Sequence, residues 1–217
     1  MTRVALLFLA LGVSFSTAYL GIDTIAAISV SGFQCLKNNG YWFYIGRVGE
    51  QTGGIDNGGI QNMKNADAAG LGAVDAYIYP CKRSGCASAA QQVTNTVNAL
   101  KNAGVKYGTL WLDIERDNDW PSDLNHNRQF ITDMANQGKA LGVRIGVYTS
   151  SYNWDAIVGN SWTGMASHDL WWANWNGQAN FNNFSPFGGW TKPAMHQYAG
   201  DVGGACSVGN VDLSWFA

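Results

Sequence analysis

Charge is scarce in this chain, and charge of one sign is never concentrated. Of the 217 residues only 13% are charged, and the formal net charge is -2. No run of basic residues offers a surface for nucleic acid. Hydrophobic residues make up 47% of the chain, which excludes a disordered protein. The length allows one large domain with a sizeable core, and no linker indicates a second one.

Long apolar runs are also absent, apart from a short one at the N-terminus. Arg3 precedes the apolar stretch 4–13, and Ser16 and Ala18 offer small residues at the two cleavage positions. This pattern predicts a signal peptide over residues 1–18 and a mature domain over residues 19–217. No later stretch is apolar enough to cross a membrane. We therefore expect a protein that is secreted or delivered to lysosomes or phagosomes.

Metal-binding spacing is missing as well. The four cysteines, Cys35, Cys81, Cys86 and Cys206, include no C-x-x-C pair and have no histidine close in sequence, which disfavours a zinc site. An even number of cysteines in an oxidising compartment favours disulfides, and four cysteines permit three pairings. Cys81 and Cys86 bound a short polar loop that could close on itself. The predicted disulfides are therefore Cys81–Cys86 and Cys35–Cys206, and no metal or cofactor is expected.

Aromatic residues, in contrast, are abundant. The chain has ten Trp, nine Tyr and nine Phe. Aromatic rings stack on the apolar faces of sugars, while amides and carboxylates bind the hydroxyl groups. The composition is therefore typical of a saccharide-binding cleft, although a place in the core is the simpler interpretation for any single ring.

Helix and strand patterns alternate through the first two thirds of the chain. A helical stretch, a glycine and an apolar strand follow one another three times, and the strands are 73–79, 109–115 and 144–148. Strands that alternate with helices of this length form a parallel sheet with right-handed crossovers. The pattern thus predicts an α/β fold.

The pattern changes beyond Tyr152. Three more strand-like stretches, 170–175, 194–198 and 211–215, are separated by segments rich in Gly, Asn and Ser with little helical periodicity. We therefore predict a single-domain barrel of eight strands, in which about the first five are followed by helices and the last three mostly are not.

The strand 109–115 ends in two carboxylates. Asp113 and Glu115 alternate with apolar residues, so they project from the same face of the strand, roughly 7 Å apart. Two carboxylates this close repel each other when ionised, so the more buried one keeps its proton to a higher pH. The pair suits acid–base catalysis, although an isolated D-x-E at a strand end is more often a solvated terminus or a helix N-cap.

Two further carboxylates, Asp23 and Asp212, fall at or near two other predicted strands, 19–24 and 211–215. If the strands close into a barrel, their C-terminal ends share one rim, where barrel enzymes place their active sites. Asp212 comes early in its strand, so the direction of its side chain is left open. Four carboxylates near aromatic residues, with no serine or cysteine nucleophile motif and no metal-binding histidine pair, indicate glycoside hydrolysis.

Several motifs together resemble the lysozymes of glycoside hydrolase family 25, the Chalaropsis type. They are GID at 21–23, LWLDIE at 110–115, WWA at 171–173, QYA at 197–199 and VDL at 211–213. The segments 33–41 and 188–195 and the residues Pro80, Cys81 and Cys206 are most similar to the invertebrate and amoebal branch. The resemblance covers essentially the whole mature chain. It implies an irregular TIM-like (β/α)5(β)3 barrel and a 1,4-β-N-acetylmuramidase that acts on bacterial peptidoglycan.

The resemblance also implies roles for individual residues. Glu115 is similar to the proton donor of the family, and Asp113, Asp23 and Asp212 to the carboxylates around it. The residues implied to bind saccharide are Tyr79, Tyr148, Trp172 and Gln197. Either a carboxylate attacks the anomeric carbon, or it orients the 2-acetamido group of the substrate to attack instead. The expected partner is peptidoglycan alone, with no nucleic acid, membrane or cofactor, and the expected state is a monomer.

Two other functions are compatible with the sequence. One is a secreted saccharide-binding protein with little turnover that serves immune regulation on the same scaffold. The other is a hydrolase of chitin or another host glycan. The presence of all four carboxylates favours an active lysozyme over a binding protein.

Overall fold

Eight β-strands close into a barrel in chain order. The computed structural model describes residues 18–115 and 118–217. Within them the strands are β1 (Tyr19–Asp23), β2 (Tyr41–Gly49), β3 (Ala73–Ile78), β4 (Thr109–Asp113), β5 (Arg144–Thr149), β6 (Asp169–Ala173), β7 (Met195–Gly203) and β8 (Asn210–Phe216). The fold thus agrees with the predicted irregular TIM-like barrel.

The last strand departs from the parallel arrangement. Strands β1 to β7 pair in parallel with their neighbours, whereas β8 runs antiparallel to both β7 and β1. The connection from β7 to β8 spans only residues 204–209. So short a connection cannot cross over to make a parallel pair, because a crossover needs a dozen or more residues. The parallel arrangement predicted for the strands that alternate with helices therefore does not extend to β8.

A helix follows each of the first five strands. They are α1 (Val30–Asn38), α2 (Asn57–Ala68), α3 (Ala89–Asn102), α4 (Leu124–Ala140) and α5 (Ser151–Val158). Each helix begins after a Ser or Asp whose side chain accepts a hydrogen bond from a backbone N–H of the first turn. Helices α2, α3 and α4 are followed by Gly70, Gly104 and Gly142 with positive φ, which ends each helix before the next strand.

Side chains that alternate along the strands form two separate cores. On β4, Leu110 and Leu112 pack outward into the layer between barrel and helices, whereas Trp111 belongs to the cluster inside the barrel. The inner cluster is built largely from rings, and its buried members are Phe43, Ile45, Trp111, Tyr148, Trp171 and Met195. Rings therefore fill much of the barrel interior, and the inward positions at the C-terminal strand ends remain for other side chains.

Two disulfides have the pairing that the sequence predicts. Cys35 of α1 is joined to Cys206, and Cys81 is joined to Cys86 in the loop after β3. The first disulfide links the first helix to the segment just before β8, and the second links the two ends of the short polar loop. The predicted signal peptide, residues 1–18, lies outside the described part of the chain except for its last residue, Ala18. Among the described helices none has the length and apolarity needed to cross a membrane.

Candidate active site

A cavity opens at the C-terminal ends of the barrel strands. Its volume is about 170 Å³, and its lining consists of Asp23, Tyr77, Asp113, Glu115, Tyr148, Trp171, Trp175, Gln197 and Asp212. A roomier cavity of about 300 Å³ lies beside the Cys81–Cys86 loop, but Asp133 is its one carboxylate among the described lining residues. All four carboxylates predicted from the sequence thus meet in the smaller cavity, so the convergence of charge rather than the volume identifies the candidate site.

Side chains that donate hydrogen bonds to backbone carbonyls fix the segment that carries Asp113 and Glu115. Asp113 is the last residue of β4 and is buried, while Glu115 follows two residues later and is half-buried. Between them, the carbonyl of Ile114 accepts a hydrogen bond from Thr149 Oγ1 at 2.7 Å. The carbonyl of Glu115 accepts one from Trp120 Nε1 at 2.9 Å. Both carboxylates line the cavity, in agreement with the prediction that they share a face.

Asp23 and Asp212 stand opposite each other across the β1–β8 pair. The amide nitrogen Nε2 of Gln197 donates to Asp23 Oδ1 at 3.0 Å and lies 3.4 Å from Asp212 Oδ2. The amide oxygen of Gln197 accepts hydrogen bonds from the Tyr148 hydroxyl at 2.7 Å and from Trp175 Nε1 at 2.8 Å. Because all these bonds act on one amide group, Gln197 has a single orientation, with its nitrogen toward the two carboxylates.

Both of these carboxylates hold protons more tightly than usual. Burial raises the pKa of Asp23 well above its ordinary value of 3.8, and the negative charges of Asp212 and Glu115 raise it further, against the opposing hydrogen bond from Gln197. The pKa of Asp212 is also raised, chiefly by burial. There the hydrogen bond from the Asp201 backbone opposes the rise, and the Asp201 charge adds to it.

Of the four residues expected to bind saccharide, Tyr148 and Gln197 line the cavity. Tyr79 does not. It follows the end of β3, and the ammonium group of Lys82 lies 4.7 Å from the centre of its ring. Tyr77, two residues earlier on the inward face of β3, lines the cavity in its place.

The fourth expected residue, Trp172, points away from the cavity. It is buried in the outer core, where its ring stacks on His196 at a centroid distance of 4.2 Å. The neighbouring Trp171 points inward and lines the cavity, with its Nε1 donating to Ser214 Oγ at 3.0 Å. Successive side chains on a strand alternate between faces, so an error of one position exchanges the inner face for the outer one.

Sequence reasoning therefore missed Tyr77, Trp171 and Trp175. The strand period gives a signal for the first two, since each is in phase with an inward residue on its own strand. Trp175 lies beyond the end of β6 in a loop, and its place depends on the hydrogen bond to Gln197, which local sequence does not reveal.

The chemistry available to this site is that of carboxylates beside aromatic rings. No group of three or more His, Cys, Asp or Glu side chains arranged to hold a metal ion occurs within residues 18–115 and 118–217. The half-buried Glu115 can reach a bound molecule, and Asp23, Asp113 and Asp212 can stabilise positive charge beside it. Acid catalysis next to a second carboxylate is the arrangement that cleaves glycosidic bonds.

Known proteins with similar sequences or folds extend over nearly the whole chain. The protein family described as "Lysozyme-like protein 1" matches residues 14–198. "Lysozyme-like protein 5" of Caenorhabditis elegans is 48% identical over 200 residues, which cover 92% of each chain. "Probable GH family 25 lysozyme 2" of Dictyostelium discoideum is 39% identical over 215 residues, covering 96% of this chain and 99% of the relative. The crystal structure of the bacterial lysozyme from Streptomyces coelicolor superposes with a TM-score of 0.72 at 22% identity and covers 93% of both chains.

Proposed function

The chain belongs to the lysozymes of glycoside hydrolase family 25, and we propose that it is a 1,4-β-N-acetylmuramidase that hydrolyses bacterial peptidoglycan. The observation that carries this proposal is the meeting of Asp23, Asp113, Glu115 and Asp212 in one cavity lined by aromatic rings. Lysozyme activity accords with the relatives, and the muramidase specificity and the residue roles are the proposed part.

Glu115 is the general acid in this proposal. It protonates the glycosidic oxygen as the bond to the leaving sugar breaks. Asp113 and Asp23 are each only 7% exposed, whereas Glu115 is half-buried and open to the cavity. A proton donor must come within hydrogen-bond distance of the substrate oxygen, so the more accessible carboxylate at the end of β4 suits this role best.

The remaining carboxylates stabilise the positive charge that develops on the sugar. Cleavage passes through an oxocarbenium-like transition state, and a carboxylate fixed before the reaction stabilises such charge without having to reorganise. Gln197 fixes the positions of Asp23 and Asp212 through one amide group, and Asp113, the last residue of β4, lies two residues before Glu115. Trp171, Trp175, Tyr77 and Tyr148 supply the rings against which the sugars pack.

The second step follows one of two routes, and a modified substrate separates them. In one route an enzyme carboxylate attacks the anomeric carbon; in the other the 2-acetamido carbonyl oxygen of the substrate attacks it. A substrate without that carbonyl can be cleaved quickly only by the first route. Near-normal cleavage of such a substrate therefore excludes substrate assistance.

The test of the function is clearance of bacterial cell walls by wild-type protein and by Glu115→Gln. Loss of the general acid should lower the rate by roughly 10²- to 10⁴-fold. The matched control is Glu50→Gln, which makes the same chemical change at a residue whose partners, Arg47 and Thr52, lie outside the cavity lining. The control should retain the wild-type rate.

The other possible outcomes each identify a different function. Equal rates for wild type and Glu115→Gln would remove the catalytic role of Glu115 and favour a saccharide-binding protein. Faster cleavage of chitin oligomers than of substrates with muramic acid, when both are present, would favour a hydrolase of host glycans. Secretion is part of the proposal and rests on the N-terminal sequence pattern. A mature protein that begins at Tyr19 is its expected product.

A further inference from the structure

The pairing of β7 with β8 contains a bulge beside the active site. The paired residues on either side of it leave two residues of β7, Gly200 and Asp201, opposite the single residue Asp212 of β8. Bulges of this kind bend a strand and redirect its groups, and they are frequent next to active sites. Asp212 therefore lies between two strands: the bulge of β7 is opposite it on one side, and Asp23 of β1 is opposite it on the other.

The bulge directs a backbone N–H at the Asp212 carboxylate. Asp201 has a φ of 53°, in the left-handed region that few residues other than glycine, asparagine and aspartate adopt readily. In this conformation its N–H donates to Asp212 Oδ1 at 2.7 Å. The other oxygen, Oδ2, lies 3.4 Å from Gln197 Nε2. Each oxygen of Asp212 thus has its own donor, and one of the two depends on the unusual backbone of Asp201.

The same bulge makes room for Trp175. A Cβ atom on Gly200 would lie only 2.1 Å from the indole ring of Trp175. Glycine at this position lets the indole lie against β7, from where its Nε1 reaches Gln197 Oε1. Gly200 therefore supports the orientation of Gln197, and Asp201 supports that of Asp212.

We propose that the Gly200–Asp201 bulge positions the catalytic carboxylates, with Asp201 as a positioning residue that holds Asp212 through its backbone N–H. This inference rests on the proposed function, because it assigns Asp212 to the reaction. Asp201 is exposed and is absent from the lining of the cavity that holds the four carboxylates. It does line an adjoining cavity of about 440 Å³, together with Asp23, Tyr77 and Asp212. We assign its effect on the reaction to the backbone N–H that holds Asp212 and not to its side chain, and the substitutions below separate the two.

The backbone and the side chain of Asp201 act on Asp212 in opposite directions. The N–H stabilises the ionised carboxylate and lowers its pKa, whereas the Asp201 charge raises that pKa. The other titratable groups that share the cavity with Asp212 are Asp23 from β1, Tyr77 from β3, Asp113 and Glu115 from β4 and its extension, and Tyr148 from β5. None of these described groups is basic, and the N–H of Asp201 is the hydrogen bond that opposes the rise in the pKa of Asp212.

Substitutions of Asp201 separate the two effects. Asp201→Gly and Asp201→Asn remove the charge but keep a residue that adopts positive φ, so the N–H stays on Asp212. Asp201→Ala removes the same charge and disfavours that conformation, so the N–H turns away. We expect kcat near wild type for the Gly and Asn variants and roughly 10- to 100-fold lower for the Ala variant, with KM changed little.

The second measurement needs no turnover. The titration of the Asp212 carboxyl carbon, followed by NMR on the mature protein, should move to lower pH in the Gly and Asn variants. In the Ala variant its midpoint should lie above that of the Gly variant, because the stabilising N–H is lost. If the Ala variant does not fold, Asp201→Ser provides the same contrast, since serine also disfavours positive φ.

The control is Asp67→Asn, which removes one negative charge from an exposed position on α2. It should change neither kcat nor the titration of Asp212. Equal kcat and equal titration in the Gly and Ala variants would overturn the positioning role. A wild-type protein without muramidase activity would instead overturn the proposed function, and the NMR titrations would still decide whether Asp201 holds Asp212.

Discussion

Carboxylates occur at two levels of the barrel interior, and the protein treats them differently. Asp75, in the middle of β3, accepts hydrogen bonds from the Thr109 backbone N–H at 2.8 Å and from Trp111 Nε1 at 2.9 Å. Asp23, at the C-terminal end of β1, accepts one from Gln197 and faces the like charge of Asp212. Burial raises the pKa of both groups.

The two carboxylates differ in the interactions that oppose the effect of burial on their pKa. The donors on Asp75, together with the positive charge of Arg144, stabilise its ionised form. Around Asp23 the neighbouring charges of Asp212 and Glu115 do the reverse and add to the effect of burial. Asp75 is therefore held by donors of the surrounding structure, although its pKa is also raised. Asp23 instead belongs to a group of like charges that adds to the cost of burial at neutral pH. Proteins retain such clusters at sites that need shifted pKa values.

Substitution at the upper level, where Asp23 and the other cavity carboxylates lie, should lower activity and raise stability. Asp23→Asn keeps an oxygen that can accept from Gln197 but removes the buried charge. We expect kcat to fall roughly 100-fold or more, because a fixed charge beside the developing cation is lost. At pH 7 the melting temperature should rise by about 2–4 °C, as expected for ~1 kcal/mol of added stability in a domain of this size. Steady-state kinetics and calorimetry on the same samples check both parts.

The gain in stability should depend on pH in a defined direction. Since the pKa of Asp23 is higher in the folded state than its ordinary 3.8, the folded protein binds this proton more tightly than the unfolded one. Wild-type stability therefore falls as pH rises from about 3.8 through the raised pKa of Asp23, and Asp23→Asn lacks this contribution. The variant and the wild type should differ least in acid and most at neutral pH. A difference that stays constant with pH would contradict this assignment.

Substitution at the lower level, where Asp75 lies, should have the opposite effects and lower stability while leaving activity nearly unchanged. Asp75→Asn offers one acceptor oxygen to two donors, so either the Thr109 N–H or the Trp111 Nε1–H loses its partner. An unsatisfied buried donor costs about 1–3 kcal/mol, so we expect a lower melting temperature with kcat nearly unchanged. Denaturant unfolding and cell-wall clearance are the two measurements. A loss of kcat as large as that of Asp23→Asn would show that the two levels are not separate.

Much of the upper level could be predicted from local sequence. The apolar strand that ends in Asp113 and Glu115 gives both the face and the rim position of that pair, because alternation depends only on the strand itself. The repeats of helix, glycine and strand predict how helices and strands alternate along the barrel, because these patterns are also local in the sequence. No range was predicted for the helix after the first strand, α1, whose buried residues are Phe33 and Leu36.

The rest depends on pairing between distant strands. Trp171 and Trp172 are adjacent, and only the strand register decides that Trp171 faces the cavity while Trp172 lies in the outer core. The bulge at Gly200–Asp201 exists because β7 has two residues opposite one residue of β8, a relation that neither strand contains alone. The antiparallel direction of β8 and the hydrogen bond from Trp175 to Gln197 are likewise properties of the assembled barrel.

A matched pair of tryptophan substitutions gives the finest comparison of the two levels and the smallest expected effects. Trp111→Phe removes the indole donor to Asp75, and Trp175→Phe removes the indole donor to Gln197. Trp111 is 4% exposed and Trp175 is 55% exposed. The first change should therefore cost stability, about 1–2 kcal/mol, with little change in kcat/KM.

The second change should lower kcat/KM by roughly 5- to 10-fold, the equivalent of one lost hydrogen bond, and leave the melting temperature nearly unchanged. In Trp175→Phe the amide of Gln197 keeps the Tyr148 hydroxyl as a donor but loses one of the two that fix its orientation. The nitrogen that faces Asp23 and Asp212 is then less strictly held. Thermal unfolding and kcat/KM measured on both variants should show opposite pairs of effects. If both variants lose stability and neither loses activity, the upper hydrogen bonds are structural in the same sense as those on Asp75.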